Sequence, residues 1–457
     1  MIKTEQKRKF QVGCPNCIVP GSDGVMPIVA FNGPIRSYHS SERGYSMDFN
    51  SNNFLQERYF RLISECGINL VTHFENDYSR YPVDMTRALE WAEKYNFKLF
   101  VNDDVLRGDM TEEELSSRIA EYGHYKSFGG IKIIDEPCGD KFPENFDGAQ
   151  KLMVNPLKNF APLAKRLNAY DNLIGYINLF PYYYWMKSTV EDYKVYIEEF
   201  LETCHPKIIS YDNYPFDLSC RDVCMKDFFV NLTIVRSYAQ KYNIPFWAFA
   251  QCGSQWNYKR VPVETEEYRP TKWEFFWSVN VELAFGAKGI EYYPLVQPYG
   301  DALYIGGGLD CDRGGILGAD GEPTMWHGFV RQMNRQVNAV GPILLKCENQ
   351  GVIAKAGAWN YTKGLEGMFE TEHYKELIDV ETEEEGAFVG CFDYASKTAL
   401  YVVNNGTKKC QNVTLRFDDV YDLQLVSSVR NDVEETDTCQ LTLGAGAAVL
   451  IIVSQKI

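Results

Sequence analysis

Between about residue 27 and residue 346 one pattern repeats eight times, and it restricts the chain to very few folds. Apolar, β-branched or aromatic runs occur at Pro27–Gly33, Ile68–Phe74, Lys98–Asp103, Gly130–Glu136, Leu173–Leu179, Lys207–Asp212, Pro245–Gln251 and Gly289–Tyr293. Short runs of this kind read as buried strands. Between them lie stretches with apolar residues at helical spacing, among them Phe54–Cys66, Met85–Tyr95, Glu112–Tyr122, Val190–Cys204 and Val223–Lys241. Thr111 with Glu114, and Thr271 with Glu274 behind Pro270, are capping-box patterns that mark helix starts. Eight strand-then-helix units in about three hundred residues match the count and size of an α/β fold of the (β/α)8 TIM-barrel type. An open doubly wound sheet would want a glycine-rich phosphate loop after its first strand, and the sequence has none there.

After a last helix near Met325–Leu345 the pattern changes. Gly351–Ala356, Ala387–Phe392, Thr398–Val403, Val413–Phe417, Leu423–Val429 and Ala447–Val453 are short strand-like runs separated by turn signals such as Asn404-Asn405-Gly406. That spacing predicts a small antiparallel β-sandwich, with the acidic run Glu381–Glu385 as a solvated loop. A chain of 457 residues accommodates two domains, and the change of pattern predicts a barrel over 1–346 and a sandwich over 347–457.

Charge and cysteine usage narrow the partners. A net charge of −16 argues against nucleic acid and anionic membrane surfaces, so the expected ligand is neutral or cationic. Residues 1–9 lead into no apolar segment, and no window has the apolar length of a membrane-spanning helix. Thirteen scattered cysteines suggest reduced thiols and a cytoplasmic protein. Cys14 and Cys17 have C-x-x-C spacing, but no second pair or histidine cluster completes a zinc site, so neither metal nor cofactor is expected.

The segment Gly129-Gly130-Ile131-Lys132-Ile133-Ile134-Asp135-Glu136-Pro137 carries the functional expectation. It reads as a strand ending on two adjacent carboxylates, with Pro137 stopping the ladder. At the C-terminal end of a barrel strand such groups face the mouth, where (β/α)8 enzymes hold their chemistry. The other strand ends add Asn32, then His73, Glu75 and Asn76, then Asn102, Asp103 and Asp104. Asn178 and Tyr182, then Tyr211, Asp212, Asn213 and Tyr214, then Gln251 with Gln255 and Trp256, and finally Tyr292 and Tyr293 follow. Amides, acids and aromatic rings almost free of Lys and Arg suit a neutral polyhydroxyl ligand. Glycoside cleavage needs a proton donor beside the leaving oxygen, a role for which Glu136 is the candidate, with Asp135 as the neighbour that raises its pKa. Asp212 is the candidate second group. Glu274 has an adequate structural role as a capping residue. Lys132 and Glu291, both mid-strand, are expected to form a buried ion pair across the interior.

These residues resemble a (β/α)8 glycoside hydrolase of the broad β-galactosidase-like superfamily with a C-terminal β-sandwich. The resemblance rests on Asp135-Glu136-Pro137, Tyr211-Asp212-Asn213-Tyr214-Pro215, Arg269-Pro270-Thr271 with Glu274, and Ala284 through Ile290. It implies an acid/base on the fourth strand, at Glu136. The nucleophile it implies at the end of the seventh strand has no counterpart, because Gln251 stands there. The adjacent Asp135-Glu136 is also similar to the dyad of substrate-assisted N-acetylhexosaminidases, in which the substrate's 2-acetamido group replaces an enzymic nucleophile. Three readings stay open: a glycosidase of neutral glycosides, a substrate-assisted N-acetylhexosaminidase, and a sugar-binding barrel without catalysis. A lyase or isomerase would want a Lys or Tyr base and usually a metal, and the strand ends lack both the Lys and the ligand spacing.

Overall fold

The computed structural model describes residues 19, 24–31, 55–72, 78–139, 156–182, 189–216, 221–253, 270–296, 315–318 and 321–456. Eight parallel strands close into a barrel in sequence order. They are β1 Ile28–Ala30, β2 Leu70–Val71, β3 Lys98–Asn102, β4 Phe128–Asp135, β5 Gly175–Leu179, β6 Ile209–Tyr211, β7 Phe246–Gln251 and β8 Ile290–Tyr293. Each lies within the segment expected to be a strand or overlaps it. Around them run α1 Glu57–Glu65, α2 Pro82–Lys94, α3 Glu112–Gly123, α4 Ala161–Ala169, α5 Val190–Cys204, α6 Arg221–Tyr242, α7 Lys272–Ala284 and α8 Met325–Leu344. Both anticipated capping boxes form, at Thr111/Glu114 and Thr271/Glu274, and Thr189 with Asp192 makes a third at the start of α5.

The period-two alternation of a strand sorts side chains between two cores. Val29, Phe31, Leu70, Phe100, Ile174, Tyr176, Ile208, Trp247 and Phe249 fill the barrel interior. Ile28, Val71, Leu99, Ile131, Ile177, Ile209, Ala248 and Ile290 belong to the larger cluster between strands and helices. Large and small residues interlock inside: a Cβ on Gly130 would sit 2.6 Å from the Ile174 carbonyl and 3.1 Å from the Phe100 ring.

One irregularity matters for everything at the mouth. The pairing of β4 with β5 runs Lys132↔Tyr176 and then Ile134↔Ile177, so Ile133 is an extra residue. This bulge leaves Ile133 and Ile134 both packed on the outer core and brings Asp135 opposite Asn178. Lys132 and Asp135, three apart, therefore share the inward register, whereas an unbroken strand would have paired Lys132 with Ile134 and Glu136.

The C-terminal part is an antiparallel sheet of seven strands: β9 Glu348–Lys355, β10 Leu377–Thr382, β11 Ala387–Tyr394, β12 Lys397–Asn404, β13 Gln411–Val426, β14 Asn431–Leu443 and β15 Ala448–Ser454. Its order is β10-β13-β15-β12-β11-β9, with β14 on β13. Two expectations need correcting. The runs at Val413–Phe417 and Leu423–Val429 are parts of one strand, β13, whose register shifts between Arg416 and Tyr421. Its first half pairs with β10 and its second with β15, so the sheet folds over its own core of Val389, Leu400, Leu415, Leu425 and Ile451. Glu381, expected in a loop, lies in β10 beside Arg416 at 3.1 Å. β14 escaped the sequence reading because most of it is polar, with apolar alternation confined to Cys439, Leu441 and Leu443.

Helix α7 joins the two parts, which explains why it is buried almost all round from Glu274 to Ala284: one side packs on β7 and the other on the sheet. Asn280 Nδ2 donates to the Gly446 carbonyl at 2.8 Å, the Tyr401 hydroxyl donates to Asn280 Oδ1 at 2.6 Å, and Trp277 Nε1 donates to Asn405 Oδ1 at 3.0 Å. Among the described residues no helix is long and apolar enough to cross a membrane, and the cysteines are free thiols. Cys14 and Cys17 lie outside the described residues.

The tightest point of this junction is Gly390 on β11, where a Cβ would stand 2.3 Å from the Ala284 carbonyl at the end of α7. Gly390→Ala should destabilise the protein by about 1–3 kcal/mol through overpacking against backbone. A denaturant midpoint equal to that of the wild type would contradict this docking.

Candidate active site

Three carboxylates meet at the C-terminal end of the barrel. Asp135 ends β4, Glu136 follows it, and Asp212 follows β6. The Glu136 amide donates to the Asn178 carbonyl at 2.9 Å, which holds the chain to β5 one residue past the strand. The backbone then turns through the left-handed region at Glu136, φ 47°, a conformation that costs a non-glycine residue about 1–3 kcal/mol. In that turn the Glu136 side chain makes a hydrogen bond with Asp212. All three acids remain partly exposed to the mouth.

Two carboxyl groups in contact share a proton, because both cannot ionise at that distance. Burial, then the charges of Asp212 and Asp135, push the Glu136 carboxyl well above the usual carboxylate range. Asp212 is also pushed up, by burial first and then by the charge of Asp135. Hydrogen bonds from Glu136 and Asn178 oppose that rise by stabilising the Asp212 anion. Both carboxyls are thus raised, and the hydrogen bond between them favours a proton on Glu136 facing an Asp212 anion.

Asn178, inward on β5, ties the acids together. Its Nδ2 donates to Asp135 Oδ1 at 3.0 Å and to Asp212 Oδ1 at 3.4 Å. Its Oδ1 faces Ser210 Oγ of β6 at 3.0 Å. Ser210 Oγ in turn stands 2.5 Å from Glu291 Oε1 and 3.0 Å from the Tyr176 hydroxyl, which donates to Glu291 Oε2 at 2.9 Å. Thr72 Oγ1 lies 3.5 Å from the same oxygen. The expected Lys132–Glu291 ion pair is not what holds Glu291. Its partners are hydroxyls, and burial pushes its carboxyl up to about 8. Bulky interior side chains fill the barrel between strands, and hydroxyls on neighbouring inward positions reach Glu291 first.

The opposite side of the mouth is aromatic. Tyr293 packs 6.1 Å from Phe31 and 5.8 Å from Tyr214, and Phe249 lies beneath at 5.3 Å from Phe31 and 6.4 Å from Tyr214. Gln251 sits at the end of β7, its Nε2 donating to the Gly253 carbonyl at 2.8 Å and its buried Oε1 without a partner. The buried Oδ1 of Asn102, at the end of β3, is likewise unpartnered.

Other residues proposed from sequence have different surroundings. Tyr211 belongs to the outer core, near Tyr193 of α5 and Glu282 of α7, because Ser210 and Asp212 take the inward positions on either side of it. Asn213 turns to α6, its Nδ2 donating to Asn231 Oδ1 at 3.2 Å, although its buried Oδ1 has no partner. Tyr182 donates its hydroxyl to Asp227 at 2.6 Å, and Tyr292 donates to Asn334 of α8 at 2.6 Å. Asp103 is a structural acid, gripped by Arg118 at 2.7 and 3.1 Å and by the Tyr122 hydroxyl at 3.2 Å, and Asp104 stands 3.8 Å from Arg80. Asn32, His73, Glu75, Asn76, Gln255 and Trp256 lie outside the described residues. Ser210 and Glu291 are the parts of the network that sequence reasoning did not connect to the mouth. Their alternation with Asp212 and Tyr293 was the available signal.

No protein-family model matches the chain, and no curated protein matches it. Solved structures similar to it include a family 30 endoxylanase from Clostridium papyrosolvens, at 8% identity over 96% of this chain and 98% of the other, TM-score 0.41. A putative alpha-galactosidase/melibiase from Bacteroides fragilis matches at 9% identity over 94% and 79%, TM-score 0.42. A family 5 glycoside hydrolase from Bifidobacterium longum subsp. infantis matches at 11% over 68% and 79%, TM-score 0.43. The closed barrel itself rests on the strand order of this chain. Among the described residues no group of His, Cys, Asp and Glu is arranged to hold a metal ion.

A carboxyl whose pKa is raised on folding stabilises the native state fully at acidic pH, and that stability is lost as pH rises through the folded value. The Glu136–Asp212 pair should therefore make the wild type less stable as pH rises from the ordinary carboxylate range toward and beyond neutrality. Glu136→Gln removes the repulsion and keeps a donor toward Asp212. It should exceed the wild type in stability above neutral pH by about 1 kcal/mol or more, with the gap closing in acid. Parallel unfolding curves for the two proteins at all pH values would mean that the pair holds no such proton.

Proposed function

We propose that the protein is a glycoside hydrolase acting on a neutral glycoside or short oligosaccharide, with Glu136 as general acid/base. The observation that carries the reading is the Glu136 carboxyl, raised well above its usual range by burial and hydrogen-bonded to Asp212, at the mouth of a (β/α)8 barrel. A glycosidic oxygen leaves only if it is protonated as the bond breaks, and an acid kept neutral near physiological pH can supply that proton. Glu136 passes its proton to the leaving oxygen and then, as a carboxylate, takes a proton from the water that adds to the anomeric carbon, which restores its hydrogen bond to Asp212. Asp135, anchored by Asn178, adds negative charge beside the oxocarbenium-like centre. The ring of Tyr293 and that of Tyr214 offer apolar faces to a pyranose, and the unpartnered oxygens of Asn102 and Gln251 can accept from its hydroxyls.

A second reading is supported by two observations. Asp212 is in contact with Glu136, whereas an enzymic nucleophile or base would stand about 5–9.5 Å from the acid across the sugar. Gln251 ends β7 where the superfamily's nucleophile would stand. Both features fit a mechanism in which a 2-acetamido group of the substrate attacks the anomeric carbon while Asp135 orients it.

Glu136→Gln should lower kcat on an aryl glycoside by about 10²–10⁴-fold while leaving ligand affinity near that of the wild type. The wild-type profile of activity against pH should be bell-shaped, falling on the alkaline side as the acid ionises. Progressive fluorination of the substrate acetamide should depress kcat steeply under the acetamide mechanism and have little effect under the other. An aryl-glycoside panel, N-acetylhexosaminides included, that the wild type leaves intact would leave a sugar-binding barrel as the surviving reading.

A further inference from the structure

Beneath the three acids lies a fourth carboxyl group, Glu291, fully buried in the barrel interior and joined to them by the contacts through Ser210 and Asn178. The Ser210 hydroxyl has one proton, yet its oxygen is in hydrogen-bond contact with two acceptors, Glu291 Oε1 at 2.5 Å and Asn178 Oδ1 at 3.0 Å. The Tyr176 hydroxyl also has one, which it gives to Glu291 Oε2. If Glu291 were ionised, Ser210 could satisfy only one neighbour, and the other contact would set lone pair against lone pair. Reversing the Asn178 amide would offer Ser210 a donor, but would point the amide carbonyl at Asp135 and Asp212. Of the four contacts that join Glu291, Ser210, Tyr176 and Asn178, three carry a proton when Glu291 is neutral and donates to Ser210, Ser210 donates to Asn178 Oδ1 and Tyr176 donates to Glu291 Oε2, against two when Glu291 is ionised, and Asn178 Nδ2 is left to donate to the two aspartates.

We infer that Glu291 is a neutral carboxylic acid and a positioning residue, whose proton sets the direction of the Ser210–Asn178 line and so fixes the amide that holds Asp135 and Asp212. The inference rests on the glycosidase reading for its kinetic consequence, but not for the protonation of Glu291. The groups around Glu291 are Tyr176 and Ser210 with one exchangeable proton each, Thr72 on the side of β2, and Asp135 above it on β4. Lys132 shares the inward register of β4 beside Tyr176. Asp135 opposes ionisation of Glu291, and the three hydroxyls favour it less than burial disfavours it. When Glu291 does ionise, at about pH 8, Ser210 turns its proton downward, Asn178 loses the donor to its carbonyl, and a new negative charge appears under the acids.

Two measurements on the full-length protein test this separately. Infrared difference spectra of wild type and Glu291→Gln at neutral pH should contain a protonated-carboxyl band that the variant lacks and that Glu136→Gln retains. A wild-type spectrum in which Glu291→Gln removes only a carboxylate band overturns the inference, whether or not any glycoside is cleaved. On an aryl glycoside that the wild type hydrolyses, Glu291→Ala and Ser210→Ala should each lower kcat by about tenfold or more with a smaller change in KM. Glu291→Gln, which can still donate to Ser210, should recover most of that loss and move the alkaline limb of the pH profile upward. Equal impairment in Glu291→Gln and Glu291→Ala, with the alkaline limb unmoved, would reduce Glu291 to a filler of the barrel interior. Failure of the wild type to cleave any glycoside defeats the catalytic reading alone, and the infrared comparison still decides the protonation of Glu291.

Discussion

The extra residue in β4 is the constraint from which the site follows. A strand that alternated without interruption would have carried Lys132, Ile134 and Glu136 inward together, with Asp135 buried among the helices. With Ile133 and Ile134 both packed outward, the inward register passes to Asp135, opposite Asn178. The left-handed turn at Glu136 then brings the next side chain back to Asp212. Bulges beside active sites re-aim side chains in this way, and backbone strain is tolerated there because surrounding contacts over-determine it. Here those contacts are the amide of Glu136 on the Asn178 carbonyl and the Tyr196 hydroxyl, which donates to the Pro137 carbonyl at 2.6 Å.

The mouth is divided by chemistry. Acids and amides come from the ends of β3 to β6 with Asn102, Asp135, Asn178 and Asp212, and aromatic rings from β8, β1 and the segment after β6. A pyranose has the same division, hydroxyls on its edges and C–H groups on its faces. The polar half is supported from below by hydroxyls on Ser210 and Tyr176, so that the amide of Asn178 has a donor beneath it and acids above. This layering carries polar groups deep into a barrel that is otherwise apolar, where each must be satisfied.

Much of the fold was legible because eight short apolar runs alternate with helical periodicity, and parallel strands buried on both faces leave that signature. Thr111, Thr271 and their glutamates marked helix starts through local hydrogen bonds that need no tertiary partner. Asp103 shows the opposite case. It stands at a strand end like Asp135, and only the position of Arg118 on α3 makes it a structural acid. Tyr211 shows another: its neighbours in sequence face the barrel axis, and alternation turns it outward. In the C-terminal sheet the long β13 read as two strands, since the register shift after Arg416 breaks its alternation.

By itself the chain determined which elements form, in what order, and that two carboxylates would end the fourth strand, because periodicity and caps are properties of neighbouring residues. The tertiary structure decided which of those carboxylates meet. Contact between Glu136 and Asp212, and the hydroxyl line from Glu291 to Asn178, join residues that are distant along the chain, through a bulge and a barrel closure. Proton sharing depends on ångström-scale separations, and a linear sequence does not encode those separations one residue at a time.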